Sequence, residues 1–144
     1  MTVNQLLNIK GSAVWSVTPE TSVFEALQVM ADKNVGALVV LEGASLRGIF
    51  SERDYARKVV LHGKSSKDML VREIMTEKVD CVSPTHSVRE CMARMTDKHI
   101  RHLPVIEGGR IIGLISIGDV VKAIISDQEF MIEQLESYIA GGSY

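Results

Sequence analysis

The chain repeats itself. Residues 6–57 align with residues 71–122 without a gap when the sequence is shifted by 65 positions, and 17 of the 52 aligned pairs are identical. Self-similarity at a fixed spacing predicts two copies of one structural unit. A unit of this size has too small a core to be stable alone, so the two copies should pack together.

Each copy has the same predicted order of elements, β-α-β-β-α. In the first copy a short β run at residues 14–17 ends at a proline, and Ser22 and Glu25 then form a capping-box pattern before an amphipathic helix. Ser87 and Glu90 repeat that pattern in the second copy. Two strands follow at 37–41 and 46–50, and at 103–106 and 111–115. A second helix is predicted to begin near Ser51 or Ser116.

The motif Gly-x-x-Ser-x-x-Asp occurs once per copy, as GIFSERD at 48–54 and GLISIGD at 113–119. One interpretation is structural, because Ser-x-x-Asp can cap a helix and the glycine can ease the turn from strand to helix. The other is functional. A helix N-terminus and a serine hydroxyl suit a phosphate, and an aspartate can accept both hydroxyls of a ribose. The motif alone favours neither interpretation.

The gapless repeat, the two motifs and IRHLPVI at 100–106 together resemble a pair of cystathionine-β-synthase (CBS) domains, the Bateman module, over residues 6–126. SERDYARKV, RHLPVIEGGRIIGLISIGDVVKAI and YIAGGSY are similar to stand-alone CBS-pair proteins of bacteria and plant organelles. The resemblance implies an α+β fold of two β-α-β-β-α repeats that pack through their sheets with pseudo-two-fold symmetry. It also implies a regulatory module that is no enzyme, dimerises, and binds AMP, ADP, ATP, NAD or S-adenosylmethionine.

The predicted boundaries follow from the repeat. We expect CBS repeat 1 at residues 6–63, a linker at 64–70 and CBS repeat 2 at 71–126. A C-terminal amphipathic helix and tail should occupy residues 127–144, with order ending at Gly141 and Gly142. We further expect this helix and a shorter one at residues 2–9 to pack across a homodimer interface.

The resemblance implies two ligand clefts, each combining the serine and aspartate of one repeat with the opening segments of the other. Cleft 1 is predicted to contain Ser51, Arg53, Asp54, Thr76, Val79, Asp80, Ile100, Arg101, His102 and Pro104. Cleft 2 is predicted to contain Gly11, Ser12, Val14, Trp15, Val35, Gly36, Ala37, Ser116, Gly118 and Asp119.

The two predicted clefts differ in charge. Arg53, Arg101 and His102 can bind phosphate in cleft 1. Their counterparts in cleft 2 are the uncharged Gly118, Gly36 and Ala37. We therefore expect cleft 1 to take the more phosphorylated ligand, and cleft 2 an adenosine or a larger dinucleotide. Trp15 either stacks on a base or fills the core.

Composition narrows the class of protein. The net charge is −2, which gives no electrostatic argument for binding nucleic acid or an anionic membrane, and no apolar run is long enough to cross a membrane. The N-terminal residues lack the pattern of a signal peptide and two cysteines suit a reducing compartment, so we expect a cytoplasmic protein. The C-x4-H-x4-C spacing of Cys81, His86 and Cys91 matches no usual zinc pattern, and we expect neither a metal site nor a catalytic cysteine.

These observations predict a module that senses an adenine nucleotide and changes the state of an unidentified partner protein. Two alternatives stay open. One is a structural dimerisation module with vestigial clefts. The other is a slow nucleotide hydrolase, in which His102 would have to act as the base because no other is evident.

Overall fold

The computed structural model describes residues 1–141 as two small sheets flanked by helices. Residues 142–144, including Gly142 of the predicted tail, lie outside the described part. The helices are α1 (Val3–Lys10), α2 (Val23–Lys33), α3 (Glu52–Tyr55), α4 (Val71–Ile74), α5 (Val88–Lys98) and α6 (Ile117–Ile139). The strands are β1 (Ser16–Val17), β2 (Ala37–Glu42), β3 (Ser45–Ser51), β4 (His102–Glu107) and β5 (Arg110–Ser116).

The two sheets share one plan. Strand β2 pairs antiparallel with β3 and parallel with β1, where Val17 lies beside Val40. Strand β4 pairs antiparallel with β5, and an isolated parallel bridge from Val82 to Val105 takes the place of β1. Both hairpins even shift register at the equivalent point. The predicted α+β fold of two β-α-β-β-α repeats is confirmed.

The predicted helix starts are present. Ser22 Oγ accepts from the Glu25 backbone N–H at the start of α2, and Ser87 Oγ accepts from that of Glu90 at the start of α5. At α5 the Ser87 N–H also donates back to the Glu90 carboxylate, which completes the capping box. The two helices therefore begin at equivalent positions, and both present one apolar face to a core.

Each repeat begins with a helix, α1 in repeat 1 and α4 in repeat 2, and this opening helix packs into the core of the other repeat. Val71 and Ile74 of α4 lie in the same buried cluster as Phe50 of repeat 1. In the opposite direction, α1 places Val3, Leu6 and Leu7 in the core of repeat 2, together with Val82, Val88, Cys91 and Leu103. The expectation that residues 2–9 pack across a dimer interface is wrong for this face of α1, because its apolar residues are buried within the chain.

The motif glycines lie where these exchanged segments cross a strand. A Cβ on Gly48 would approach the Thr76 carbonyl oxygen to 2.7 Å, and one on Gly113 would approach Leu7 Cδ2 to 2.7 Å. Neither glycine has a positive φ, and both lie inside a strand rather than at its end. Their role is thus close packing between the repeats, and the expectation that they ease a strand-to-helix turn is wrong.

The predicted linker is attached to repeat 1 by backbone hydrogen bonds. The Phe24 N–H donates to the Ser66 carbonyl and the Val23 N–H to that of Met69, both at the start of α2. Met69 itself is buried in the core of repeat 1. The connection between the repeats therefore contributes to the packing of the first one.

The last helices of the repeats differ in length. Helix α3 continues as a π-helical turn, Ala56–Val60, whereas α6 runs unbroken to Ile139. The amphipathic helix predicted from residue 127 is thus the second half of α6 rather than a separate element. Its apolar side chains remain exposed by 54–79%, namely Phe130, Met131, Ile132, Leu135, Tyr138 and Ile139. Within residues 1–141 no helix is both long and apolar enough to cross a bilayer.

The crossing geometry gives a first prediction. Gly48→Ala should lower the free energy of unfolding by about 1–3 kcal/mol, because the Thr76 carbonyl is backbone and cannot rotate away. Gly113→Ala should cost less, since it meets the flexible end of Leu7. Gly118→Ala is the control, because its Cβ would lie 3.6 Å from Ser116 Oγ and alanine favours helix. Urea unfolding measures all three, and equal midpoints for the Gly48 and Gly118 variants would contradict the crossing.

Candidate functional site

Cleft 1 is a cavity of about 470 Å³ that both repeats line. Nine of the ten predicted residues lie on its wall, namely Ser51, Arg53, Asp54, Thr76, Val79, Asp80, Ile100, Arg101 and His102. Pro104 is buried within β4 and is not among the described lining residues. In repeat 1, helix α3 and the π-helical turn after it supply the acidic and basic side chains. In repeat 2, these come from the segment after α4 and from the opening of β4.

Cleft 2 is a second cavity, of about 350 Å³, at the pseudo-equivalent position. Seven predicted residues line it, namely Gly11, Trp15, Val35, Gly36, Ala37, Ser116 and Asp119. Ser12, Val14 and Gly118 are not among the described lining residues. The start of α6 thus faces the opening of β2, as the start of α3 faces the opening of β4.

Both Ser-x-x-Asp motifs form capping boxes. The Ser51 N–H donates to Asp54 Oδ2 over 3.0 Å, and the Asp54 N–H donates to Ser51 Oγ over 3.2 Å. Ser116 and Asp119 exchange the same two bonds over 2.8 and 3.2 Å. The structural interpretation of the motif is therefore observed directly. It does not exclude the functional one, because both carboxylates also lie on a cavity wall.

Each motif aspartate is also paired with a lysine that sequence reasoning did not assign to a cleft. Lys58 Nζ lies 3.2 Å from Asp54 Oδ1 and donates to the Ile74 carbonyl. Lys10 Nζ lies 2.6 Å from Asp119 Oδ2 and donates to the Leu114 carbonyl. The i,i+4 spacing of Asp54 and Lys58 is a signal that could have been found. Lys10 is 109 positions from Asp119, and no local pattern connects them.

The carboxylate in cleft 2 is held in its charged form. Burial raises the pKa of Asp119, but the hydrogen bonds from Lys10 and from the Ser116 backbone outweigh it, and the pKa lies below its usual value. Asp54 has a comparable set of donors, because Thr76 Oγ1 donates to its Oδ1 over 3.2 Å. Both carboxylates can therefore act as acceptors for a ligand hydroxyl.

His102 belongs to both clefts. The His102 side chain lines cleft 1 and cleft 2. Gly36 also lines both clefts, and a Cβ at that position would lie 3.8 Å from the imidazole. The assignments of His102 to cleft 1 alone and of Gly36 to cleft 2 alone are incomplete for that reason. Burial lowers the pKa of His102; Asp119 opposes this effect, and the charges of Lys10 and Arg101 add to it. Near neutral pH the imidazole is therefore uncharged, and it lies between the two clefts.

The charge difference between the clefts is real, although cleft 2 is not free of cations. The permanent cations on the wall of cleft 1 are Arg53, Arg57, Lys58, Lys78 and Arg101. Among the described residues that line cleft 2, Lys10 is the only one. Sequence comparison of the repeats missed Lys10, because the alignment pairs it with an apolar residue, Met75.

Trp15 lies at the mouth of cleft 2 rather than in the core. Its side chain is 39% exposed, and Lys33 Nζ lies 4.4 Å from the centre of the ring. This cation–π contact holds one face of the indole and leaves the ring beside the cavity. Since the chain has one tryptophan, its fluorescence reports on cleft 2.

The cysteines and His86 form no site in the part of the chain that the structure describes. Within residues 1–141, no group of three or more His, Cys, Asp or Glu side chains could hold a metal ion. Cys91 lies in the core of repeat 2, where burial raises the pKa of the thiol to about 11. His86 Nδ1 accepts from the Ser83 N–H. A protonated, buried thiol is a poor nucleophile.

Comparison with known proteins identifies the family of the chain. The CBS domain family matches the chain twice, over residues 9–61 and 71–126. The chain belongs to the CBS domain family. The mitochondrial CBS domain-containing protein CBSX3 of Arabidopsis thaliana is 45% identical over 137 residues, which cover 92% of this chain and 66% of that protein. The chain therefore spans just under two thirds of that relative's length.

Solved structures of CBS pairs have the same fold. A CBS-domain protein from Burkholderia ambifaria is 53% identical and superposes with a TM-score of 0.86 over 89% of this chain and 96% of that one. The CBS domain pair of protein MJ0100 superposes with a TM-score of 0.76 over 86% of this chain and 99% of that one. The structure of MJ0100 contains 5′-methylthioadenosine and S-adenosyl-L-methionine. At 21% identity, this likeness shows the fold alone.

The position of His102 gives a second prediction. Its folded-state pKa lies below the unfolded value, so the unfolded chain binds more protons and stability falls as pH drops from 7.5 through the unfolded pKa near 6.5. His102→Gln, which cannot be charged, should flatten this dependence between pH 7.5 and 5.5. The charged Asp119 carboxylate also contributes to stability, but this contribution is lost only at lower pH, because its folded-state pKa lies below the usual value for an aspartate.

Urea unfolding followed by circular dichroism at several pH values measures the slope. His62→Gln is the control, because that side chain is exposed. An unchanged slope in His102→Gln, or an equal change in the His62 variant, would show that His102 is not responsible.

Proposed function

We propose that this CBS pair is a regulatory module that binds adenine nucleotides such as AMP, ATP or NAD in its two clefts and changes the state of a partner protein. The observation that carries the proposal is the paired arrangement of the clefts. In each, a carboxylate and a serine at a helix start from one repeat face the strand opening of the other repeat. The adenosyl ligands in the structure of MJ0100 support the choice of ligand class.

The chemistry of cleft 1 suits a phosphorylated ligand. Its five permanent cations outnumber its three carboxylates, Glu52, Asp54 and Asp80. Arg53 is oriented by a hydrogen bond to the His99 carbonyl, which leaves further guanidinium N–H groups for a phosphate. Cleft 1 should therefore take the more phosphorylated nucleotide.

The mechanism follows from linkage. A ligand that contacts both repeats favours the arrangement in which its two half-sites are aligned. It can change a partner's state only by its difference in affinity between two arrangements of the module. The client protein and a cytoplasmic location both remain predictions.

Calorimetric titration with AMP, ADP, ATP, NAD and S-adenosylmethionine tests the proposal. We expect micromolar binding, and a loss of at least about tenfold in one cleft on Asp54→Asn and in the other on Asp119→Asn, because a hydrogen bond to a charged group is removed. Asparagine keeps an acceptor for the capping box. The Trp15 emission change should disappear only in Asp119→Asn.

Asp97→Asn on the exposed side of α5 is the matched control. Failure of every ligand to bind would favour the structural module with vestigial clefts. Release of inorganic phosphate from ATP by the wild type, lost in His102→Gln, would favour the slow hydrolase. The relatives reported above are named for their CBS domains and not for an enzyme activity.

We also infer that the exposed stripe on α6 is covered by a second copy of the chain. Only Val120 and Ala123 of this helix are buried, so its second half lacks the packing that stabilises a helix in water. The stripe is flanked by Glu129, Glu133 and Glu136. Repeat 1 offers the complementary surface, with exposed Val60 and Leu61 beside Arg57, Lys64 and Lys67.

Light scattering tests this partner. The wild type should have twice the 15.9 kDa mass of the chain, and Leu135→Glu should shift it towards the monomer. Gln134→Glu adds the same charge at a polar position and should leave the dimer intact. A monomeric wild type, or equal effects of the two substitutions, would contradict the inference.

A further inference from the structure

Lys10 enters cleft 2 from outside both motifs. Its ammonium lies 2.6 Å from Asp119 Oδ2 and 2.8 Å from the Leu114 carbonyl oxygen. The side chain is 30% exposed, so it lies at the boundary of the cavity rather than in the core. A lysine ammonium has three N–H donors, and these two contacts leave one that can reach a ligand.

The backbone beneath Lys10 is fixed. Helix α1 is anchored in the core of repeat 2 by Val3, Leu6 and Leu7, and it ends directly after Lys10, where the Gly11 N–H donates to the Leu7 carbonyl. Because the helix is anchored, only the side chain of Lys10 can move appreciably. The ammonium therefore stays close to the Asp119 carboxylate, which is the group that the ribose of a bound ligand would contact.

Lys10 also sets the charge of the cleft. Asp119 alone would repel an anionic ligand, and its ion pair with Lys10 makes the wall neutral. Because the ion pair is partly exposed to solvent, it contributes little free energy. The Lys10 ammonium can therefore exchange the Asp119 carboxylate for an anionic group of a ligand at low cost. On the Asp119 carboxylate, the Lys10 ammonium and the Ser116 N–H both donate to Oδ2, so Oδ1 can accept from a ligand hydroxyl while Oδ2 keeps these donors.

We propose that Lys10 is the specificity-determining residue of cleft 2, and that it selects a nucleoside carrying one anionic group beside its ribose, such as a nucleoside monophosphate, over the uncharged nucleoside that the sequence led us to expect there. This rests on the proposed function, because it requires that cleft 2 binds an adenosyl ligand. The third ammonium donor, or the one now on Asp119, binds the anionic group while the Asp119 carboxylate accepts from the ribose.

The lysine that pairs with the motif aspartate of cleft 1 provides a contrast. Lys58 pairs with Asp54 and donates to a backbone carbonyl, as Lys10 does in cleft 2. It lies among four other permanent cations, however, so removing it leaves cleft 1 able to bind phosphate. Cleft 2 has no such reserve among its described lining residues.

The test compares AMP with adenosine in the full chain and in Lys10→Met, with Trp15 fluorescence as the readout of cleft 2 and calorimetry in parallel. In the wild type AMP should bind cleft 2 at least about tenfold more tightly than adenosine, a difference of about 1.4 kcal/mol. Lys10→Met should remove this preference by weakening AMP, with adenosine changed less than about threefold. Lys10→Arg should restore it, and Lys122→Met, at an exposed position of α6 that lines neither cleft, should leave it intact.

The outcomes separate the two proposals. If neither ligand changes the fluorescence or releases heat, the proposed function fails and this inference fails with it. If both ligands bind but with equal affinity in the wild type, or if Lys10→Met weakens them equally, the function stands and the role of Lys10 is overturned. Thermal unfolding shows whether the Lys10→Met variant is folded. If it is not folded, the Lys10→Arg variant becomes the test, and loss of the AMP preference in that variant would overturn the role of Lys10.

Discussion

Each repeat depends on the other for part of its hydrophobic core. Helix α1 gives Val3, Leu6 and Leu7 to repeat 2, and α4 gives Val71 and Ile74 to repeat 1. Burial of an aliphatic side chain of this size contributes about 1.5–3 kcal/mol, so the exchanged residues form a large part of what stabilises each half. The exchange also determines where the clefts lie, because Thr76 follows α4 and Lys10 ends α1. The cavities form where the exchanged segments meet the strand openings.

The same atoms serve the fold and the candidate site. The Ser51–Asp54 and Ser116–Asp119 pairs satisfy backbone N–H groups at helix starts that would otherwise lack partners. Since this geometry aims both carboxylates at a cavity, capping and ligand binding do not compete as explanations. A helix start at the end of a strand brings a charged acceptor and free N–H groups to one place.

Internal repetition made most of the fold predictable. The 65-residue period alone identifies equivalent residues such as Val40 and Val105, and local patterns predict helix starts at Ser22 and Ser87. What failed were contacts between distant segments. The burial of α1 in repeat 2, the shared position of His102 and the pairing of Lys10 with Asp119 have no local signature. They depend on how the two halves are oriented, which residue spacing does not specify.

The glycines of the motif show a second limit. A glycine in a sequence suggests freedom of φ, but Gly48 and Gly113 are needed for the small distance to another segment. The sequence shows that a glycine is present, but only the packing shows whether the glycine is needed for a turn or for close contact with another segment. The candidate cleft residues were found chiefly through family resemblance. Of their lysine partners, Lys58 has a local i,i+4 signal, and only the folded structure identifies Lys10.

The exchanged opening helices give the chain the geometry of a homodimer whose subunits were fused. Two separate units, each with its own opening helix, could complete one another by the same reciprocal packing. In the fused form, the connection at residues 61–70 holds the halves at a high effective concentration, so that their association no longer depends on protein concentration. A fused chain can also carry two different copies of the unit. Of the two clefts, one is lined by five permanent cations and the other, among the residues that the structure describes, by a single lysine, a difference that a symmetric homodimer could not encode.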